Sequence, residues 1–494
     1  MHDSHNATEN PGHWIDGEWV ASTRVSSSVN PSNGEVIGYF SDAGAAEARA
    51  AIAAARRAFD TETWVSDRSA RAASLFELAH RIEERVDRLA TTLAREMGKV
   101  ITQARREASG APLTLRYNAG AALSQTGSTA ELAPGLLATT WREPIGVAGI
   151  IVPWNAPIAL LVRALAPALA AGCTVSVKMP GQTGLTNAIL AEAIAATKSL
   201  PKGVVNIFTE TGNEGAPLLI ASNDVDVINY TGSTKVGRII GAKAAETLKR
   251  TSLELGGKTP LIVFGDADID TVAPLVVRAL TQFNGQFCMT GSRVLVQRSV
   301  AETYRARLSE LLGNLIVGPA DQEASEMGPL IDNVSVDRID GIVEAAAKYA
   351  KVLVRGGRPA DAALAKGAFY RPAMLETERL DVPLIQEEIF GPVLSFETFE
   401  GEAEAIARAN ATTYGLAAAV FTKDIDRAAR VVRRLKAGTV WTNGWGILSN
   451  TVEEGGFKNS GTGRMRGARA MEEFQEIKTH FFSFTAHERR IVAN

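Results

Sequence analysis

Residues 146–178 read GVAGIIVPWNAPIALLVRALAPALAAGCTVSVK, and three segments are legible in them. Val147–Val152 is a short β-rich apolar run, Ile158–Ala170 reads as a helix, and Thr174–Lys178 is β-rich again. Strand, helix and strand in succession make the unit from which parallel sheets are built. The stretch is apolar enough to raise the question of a membrane span. Pro153, Asn155, Pro157, Arg163 and Pro167 interrupt it, and that answers the question in the negative.

The alternation continues downstream. Leu185–Thr197 reads as helix, Val204–Phe208 and Val225–Tyr230 as strands, Lys235–Ala245 as helix and Thr251–Leu255 as strand. That is a doubly wound α/β sheet of Rossmann-like type, mostly parallel. After Gly256-Gly257 the pattern resumes with Pro260–Phe264, a helix near Asp268–Phe283, Ser292–Gln297 and a helix near Ala301–Leu312. It runs on through Val352–Arg355, Val393–Thr398, Ala417–Phe421 and Gly438–Trp441. A second α/β domain follows, with the boundary near Leu255–Lys258. Upstream, Gly17-Glu18-Trp19 and Asn30–Gly34 read as short strands and turns, and Glu47–Phe59 as an Ala-rich helix. Ser66–Met97 reads as one long helix with Leu75, Leu78, Ile82, Val86, Leu89 and Leu93 on one face and Gly98 at its end.

Bulk composition narrows the function classes. The chain has 494 residues, and 52 Lys plus Arg stand against 55 Asp plus Glu, so nothing global attracts nucleic acid or an anionic membrane. Cys173 and Cys288 are the two cysteines, with no CxxC pair and no Cys/His cluster; neither a disulfide framework nor a metal site is expected. His2, His5, His13, His480 and His487 lie near the termini and His80 sits in a helical pattern. A base serving a cysteine is therefore expected to be a carboxylate. Met1–Asn6 lacks a basic n-region and an apolar h-region, which reads as no signal peptide and a cytoplasmic protein.

Several short stretches carry chemistry, each with a plainer alternative. Thr281–Arg293 (TQFNGQFCMTGSR) sets the Cys288 thiol between glycines ahead of a strand, where it serves either as a nucleophile or as an inert small hydrophobe. Gly232-Ser233-Thr234 joins a strand to a helix start and suits a phosphate, or simply a helix cap. Lys178 ends a strand, placed to reach a ribose or phosphate, or else solvated there. Asn155 lies between Pro153 and Pro157 as a preorganised amide donor, or as turn chemistry. Glu254 falls inside an apolar strand; it is either a desolvated general base or a strand-edge Glu paired to a Lys. Glu388 and Phe390 stand at the mouth of a strand, fit to contact a sugar and a ring.

Taken together, Pro153-Trp154-Asn155, Lys178, Gly232-Ser233-Thr234, Glu254–Lys258, Gly285–Cys288, Glu388–Pro392 and Ser460–Arg464 resemble the aldehyde dehydrogenase superfamily in order and spacing, from about Trp14 to Phe482. Glu254 makes the likeness one to non-acylating, NAD(P)-dependent members. The resemblance implies that Cys288 attacks the aldehyde, that Asn155 and the Cys288 N–H hold the oxyanion, and that Glu254 activates water to release the acid from a thioester. It assigns Trp154 and Ser233, with Gly232 and Gly256 beside them, to the cofactor phosphates and their surroundings, Lys178 and Gly181 to the adenosine ribose, and Glu388 with Phe390 to the nicotinamide side. It also implies a cofactor domain (8–121 and 144–255), a catalytic domain (256–459), and a bridging arm (122–143 and 460–494) that pairs subunits into a homodimer or homotetramer.

The chain departs from the pattern in places. Gly181 replaces a Glu that clasps the ribose hydroxyls and repels a 2′-phosphate, so NADP is expected to be tolerated alongside NAD. Ala156 stands where an aromatic is common and should widen the substrate tunnel, with Phe287 on its wall. Arg163 matches a position that holds a distal carboxylate in semialdehyde dehydrogenases. Gln282 and Glu454 are further substrate-facing positions, and Glu454 favours a cation, so the two charges argue opposite ways. Met465 replaces the usual Glu after Gly-x-Gly-Arg. A Cys/Glu amide or nitrile hydrolase leaves Gly232-Ser233, Lys178 and Phe390 without a role. A non-catalytic protein has no need of both Cys288 and Glu254.

Overall fold

The computed structural model describes residues 12–61 and 63–484. His2, His5, His487, the Met1–Asn6 stretch and positions 8–11 and 485–494 of the expected domains lie outside the described residues.

Two sheets organise the chain. In the first, Val147–Ile151, Thr174–Pro180, Val205–Glu210, Val227–Thr231 and Arg250–Glu254 run parallel. Reading across, the order is Arg250–Glu254, Val227–Thr231, Val147–Ile151, Thr174–Pro180, Val205–Glu210. The chain starts in the middle, winds one way, then returns to wind the other. The reversal falls between Val147–Ile151 and Val227–Thr231, and such a switch point opens a crevice at the carboxyl ends of the strands. Antiparallel strands close both edges: His13–Ile15 with Glu18–Val20 on one side, Gly461–Thr462 on the other. The second sheet holds Pro260–Val263, Arg293–Gln297, Ala373–Glu376, Val393–Phe399, Ala417–Phe421 and Thr439–Thr442 in parallel, with Lys351–Val354 antiparallel at its edge. A third, antiparallel sheet is made of Ser128–Ala133, Leu136–Pro144 and Gln475–Ser483.

Local sequence explains the elements that frame the crevice. The helix Pro157–Ala171 begins on a proline, which needs no amide partner there, and stops at Gly172, whose φ of 104° only glycine adopts at little cost. It is buried nearly all round, which is why its sequence is apolar all round.

Three expectations need correction. Ser66–Met97 is not one helix but Arg68–Glu83 and Val86–Met97, broken at Glu84-Arg85. The seven-residue step from Ile82 to Leu89 keeps the apolar face in register across the break, so periodicity passes over it. A helix from Ile101 to Ser124 was not anticipated. Pro112 interrupts its pattern, yet Ala104, Ala108, Ala111, Leu115 and Ala119 bury a continuous face against its helical neighbours, and packing outweighs propensity. Finally, Gly461–Thr462, expected in the bridging arm, pairs with Leu253 and Glu254 in the first sheet.

Candidate active site

The carboxyl ends of the first sheet face the amino ends of strands in the second across a cavity of about 1180 Å³. Its walls include Trp154, Asn155, Ala156, Arg163, Lys178, Gly232, Ser233, Glu254 and Gly256 from one side. From the other come Gln282, Phe287, Cys288, Glu388, Phe390 and Glu454. Gly181, though next to Pro180 and Gln182 on the wall, is itself buried behind it.

The loop that presents Cys288 is unusual backbone. Phe283, Asn284 and Gly285 have φ of 51°, 60° and 78°, three left-handed residues in succession. Such a conformation persists only where its surroundings over-determine it. Asn284 Nδ2 donates to the Gly98 and Pro329 carbonyls at 2.8 and 2.7 Å, and Asn284 Oδ1 accepts from Gly328 N at 2.8 Å. Phe283 N donates to Gln103 Oε1, and Ile331 N to Gln286 Oε1. Gly285 is packed so tightly that a Cβ there would come within 2.4 Å of the Gly391 carbonyl carbon.

Asn155 Nδ2 donates to the Gln286 carbonyl at 3.0 Å, which holds the amide beside the thiol loop while its second N–H remains for another acceptor. Cys288 is open only to the cavity. Burial pushes its thiol up to about 12; Arg163 opposes this, while Glu388, Glu254 and Glu454 add to it. Cys173, by contrast, is wholly buried, its sulfur turned to the Phe474 carbonyl, and carries no chemistry here.

Glu254 ends its strand fully desolvated, and Oε1 finds no hydrogen-bond partner among the described residues. Burial raises its carboxyl to about 7, against the pull of Arg163. The nearest cation is not a lysine: Arg163 Nη1 lies 4.0 Å away. The two charges that argue opposite ways in sequence, Arg163 and Glu454, meet in one ion pair. Arg163 Nη1 pairs with Glu454 Oε1 at 2.5 Å and its Nη2 donates to Thr231 Oγ1 at 2.8 Å. Arg466 Nε stands 3.1 Å from Glu454 Oε2. Burial pushes Glu454 up, but the two guanidinium groups outweigh it and hold the carboxyl below its ordinary range. Arg163 and Glu454 therefore largely offset each other's charge within the cavity wall. Met465 is buried behind them; Asn229 and Ser252 donate to its sulfur at 3.4 Å, and it bridges to Glu454 through paired backbone hydrogen bonds.

The other limb of the cavity suits a dinucleotide. Ser233 caps the helix Thr234–Ala245, accepting from Val236 N, while Gly232 N in the preceding turn donates to the Glu254 carbonyl at 3.0 Å. Ala216, Pro217, Ile220 and Ile240 line an apolar slot beyond it. Burial lowers the Lys178 ammonium, with Glu210 and Asp42 opposing. A Cβ on Gly181 would meet Thr211 Cγ2 at 2.3 Å, so Thr211 occupies the space a side chain would need. Trp154 and Phe390 meet edge to face at 5.7 Å, and Phe390 holds a φ of 53°. Glu388 Oε1 accepts from Gly257 N at 3.0 Å, and burial raises the carboxyl to about 7.

Sequence reasoning missed Arg466 and the whole Ile101–Ser124 wall, including Gln103, Arg106, Leu113 and Thr114. The signal available was its run of alanines at helical spacing, masked by Gly110 and Pro112.

A sequence profile described as "Aldehyde dehydrogenase family" matches residues 19–480. Aldehyde dehydrogenase 1 of Tanacetum cinerariifolium is 38% identical over 471 residues, 94% of each chain. Betaine aldehyde dehydrogenase of Bacillus subtilis is 37% identical, covering 94% of this chain and 96% of the relative. Among solved structures, betaine aldehyde dehydrogenase of Staphylococcus aureus in complex with NAD+ superposes with a TM-score of 0.94 at 33% identity, covering 98% of this chain and 97% of that one.

Proposed function

Because this chain belongs to the aldehyde dehydrogenase family, we propose that Cys288, Asn155 and Glu254 are the groups with which it performs its reaction. The protein oxidises an aldehyde to the carboxylic acid with NAD(P)+. When bound, the dinucleotide supplies the acceptor for the two electrons and the hydrogen that leave the aldehyde carbon. Trp154, Lys178, Gly232, Ser233, Gly256, Glu388 and Phe390, which line the cavity, are the residues that would hold it, with Gly181 behind them.

The roles of the chain's own groups follow from the site. The Cys288 thiol proton passes to Glu254 and on to solvent as Sγ bonds to the aldehyde carbon, and the carbonyl oxygen takes the negative charge. The free N–H of Asn155 and the Cys288 backbone N–H, which meets no acceptor among the described residues, receive that oxygen. Oxidation leaves a thioester on Cys288. Glu254, poised near neutrality and unpaired at Oε1, takes a proton from water; the water oxygen bonds to the acyl carbon, the C–S bond breaks to release the acid, and the thiolate of Cys288 takes the proton back from Glu254. The observation that carries this reading is the meeting of thiol, amide and desolvated carboxylate in one cavity whose other limb has the switch-point geometry of a dinucleotide site.

Thr211, packed where an acidic side chain at 181 would stand, supports use of both NAD+ and NADP+. Production of NAD(P)H across a panel of aldehydes, with each cofactor in parallel and Cys288→Ala as control, tests the reading. Strict NAD+ use overturns the cofactor part; silence with every aldehyde overturns the whole. The three-stranded sheet exposes Leu132, Ile477 and Phe481, apolar surface that supports pairing of subunits into a homodimer or homotetramer. No helix among the described residues is long and apolar enough to cross a membrane, and a cytoplasmic location is proposed on composition.

A further inference from the structure

Charges lining the cavity fall into two sets. Most are satisfied within the protein. Glu107 pairs with Lys99 and accepts from Ile158 N and Ala159 N. Arg163 and Glu454 neutralise each other, and Arg466 lies against Glu454 while donating to Asn450 Oδ1. On the dinucleotide side, Glu388 turns onto Gly257 N and Arg338 donates to the Ile389 carbonyl.

Leaving aside Lys178 on the dinucleotide limb, which also meets no hydrogen-bond partner among the described residues, Arg106 and Arg278 are different. Both are exposed and both line the cavity, yet among the described residues neither meets a carboxylate or any hydrogen-bond acceptor. Arg105, next to Arg106, is paired with Glu323. The two unpaired arginines stand on the helices that flank the thiol's limb. Arg106 is on Ile101–Ser124, whose Gln103 holds Phe283 N; Arg278 is on Ile269–Thr281, one turn ahead of Gln282. The lining they share with Cys288 is mainly apolar, with Leu160, Phe283, Phe287 and Trp445 and the exposed Leu113 and Ile447 (58% and 73%); its polar members, Gln103, Thr114, Gln282 and Asn450, are uncharged. Among the described residues this limb offers no unpaired carboxylate except Glu254, which is buried and has its task at the thiol.

The geometry points to an aldehyde with an apolar body and an anionic far end as the preferred substrate class, with Arg106 and Arg278 at the cavity mouth as the residues that read the anion. The inference rests on the aldehyde-oxidation reading above and names the substrate for that same site. A short oxo acid would leave its carboxylate in the apolar stretch, where no cation is free to meet it and desolvation is uncompensated. A long one spans to the mouth. An aldehyde ending in a quaternary ammonium meets two like charges there.

The test compares azelaic semialdehyde with its methyl ester, and succinic semialdehyde and betaine aldehyde beside them, all with the full-length enzyme and saturating cofactor. The ratio of kcat/KM for the long acid to that for its ester is expected to be about fivefold, as for ion pairs at a wet rim. It should shrink at high salt and approach about one in the Arg106→Gln, Arg278→Gln double variant. Taking the ratio within each variant cancels any general loss of folding or chemistry. Equal turnover of acid and ester in the unsubstituted enzyme overturns the inference. So does a ratio that survives in the double variant, or a preference for betaine aldehyde. Ester oxidation without acid preference overturns only this inference, whereas silence toward every aldehyde overturns the reading on which it rests.

Discussion

Replacing Glu454 by glutamine should move the ionisation of Glu254, a residue it does not touch. Arg163 Nη1 lies 2.5 Å from Glu454 Oε1 and 4.0 Å from Glu254 Oε2, so the two carboxylate oxygens are no more than 6.5 Å apart. At an effective dielectric constant of about 20, two negative charges at that separation repel by roughly 2.5 kcal/mol, nearly two pH units for a titrating carboxyl. Glu254 sits at about 7 in the intact protein, so Glu454→Gln should bring it near 5, with Arg163 left to favour its charged form. A general base works only when deprotonated. The acid limb of the deacylation rate therefore moves from about pH 7 down to about pH 5. Breaking a buried pair also costs about 3 kcal/mol of stability, offset in part by the approach of Arg163 to Glu254. The sign of the remaining linkage is fixed by the raised pKa. Protonated Glu254 is favoured in the fold, so its contribution is present at low pH and is lost as pH rises through about 7; in the variant that loss is largely removed. The assay is pre-steady-state thioester release against pH, with guanidinium unfolding at pH 6 and 8. An acid limb that stays near 7, or moves upward, refutes the coupling.

Three further outcomes follow from the same geometry. Asn155→Ala removes a side-chain oxyanion donor and should lower kcat about a hundredfold to a thousandfold with little change in cofactor affinity; single-turnover kinetics and cofactor titration separate the two. Gly285→Ala introduces a Cβ that would lie 2.4 Å from the Gly391 carbonyl carbon, on a backbone with φ of 78°. It should cost at least about 2 kcal/mol in unfolding free energy, and native stability in that variant would show the loop to be looser than described. Without cofactor the Cys288 thiol is held protonated at neutral pH by burial, so alkylation by iodoacetamide should be slow at pH 7 and climb steeply above pH 9. Mass spectrometry should find Cys173 unlabelled throughout.

Much of the fold was legible because strand and helix periods alternate cleanly from Val147 onward, and Ala417–Phe421 matches its strand residue for residue. The helix break at Glu84-Arg85 and the Ile101–Ser124 helix were not legible. In the first the apolar register runs on across a local kink; in the second tertiary packing stabilises a helix that its own proline and glycine argue against. Cys288, Glu254 and Asn155 stand out in sequence because each violates its local setting: a thiol between glycines, a carboxylate in an apolar strand, an amide between prolines. The pairing of Arg163 with Glu454 was not legible for the opposite reason. A sequence shows two charges but not that they are 2.5 Å apart, 291 residues after one another in the chain.

The three left-handed residues ahead of Cys288 bear on how the protein ages. Asn284-Gly285 is an asparaginyl-glycyl pair, the dipeptide most given to cyclising to a succinimide and deamidating, because glycine lets its amide nitrogen swing onto the side-chain carbonyl. Here that side chain is held by three hydrogen bonds to Gly98, Pro329 and Gly328, and the ring cannot close without releasing all of them. Asn33-Gly34 has the same two residues in a surface turn, with the Asn33 side chain bonded, among the described residues, only to its near neighbour Glu35. In stored protein, isoaspartate should accumulate at 33 long before it appears at 284. Its arrival at 284 would mark the moment when the crevice itself has begun to open.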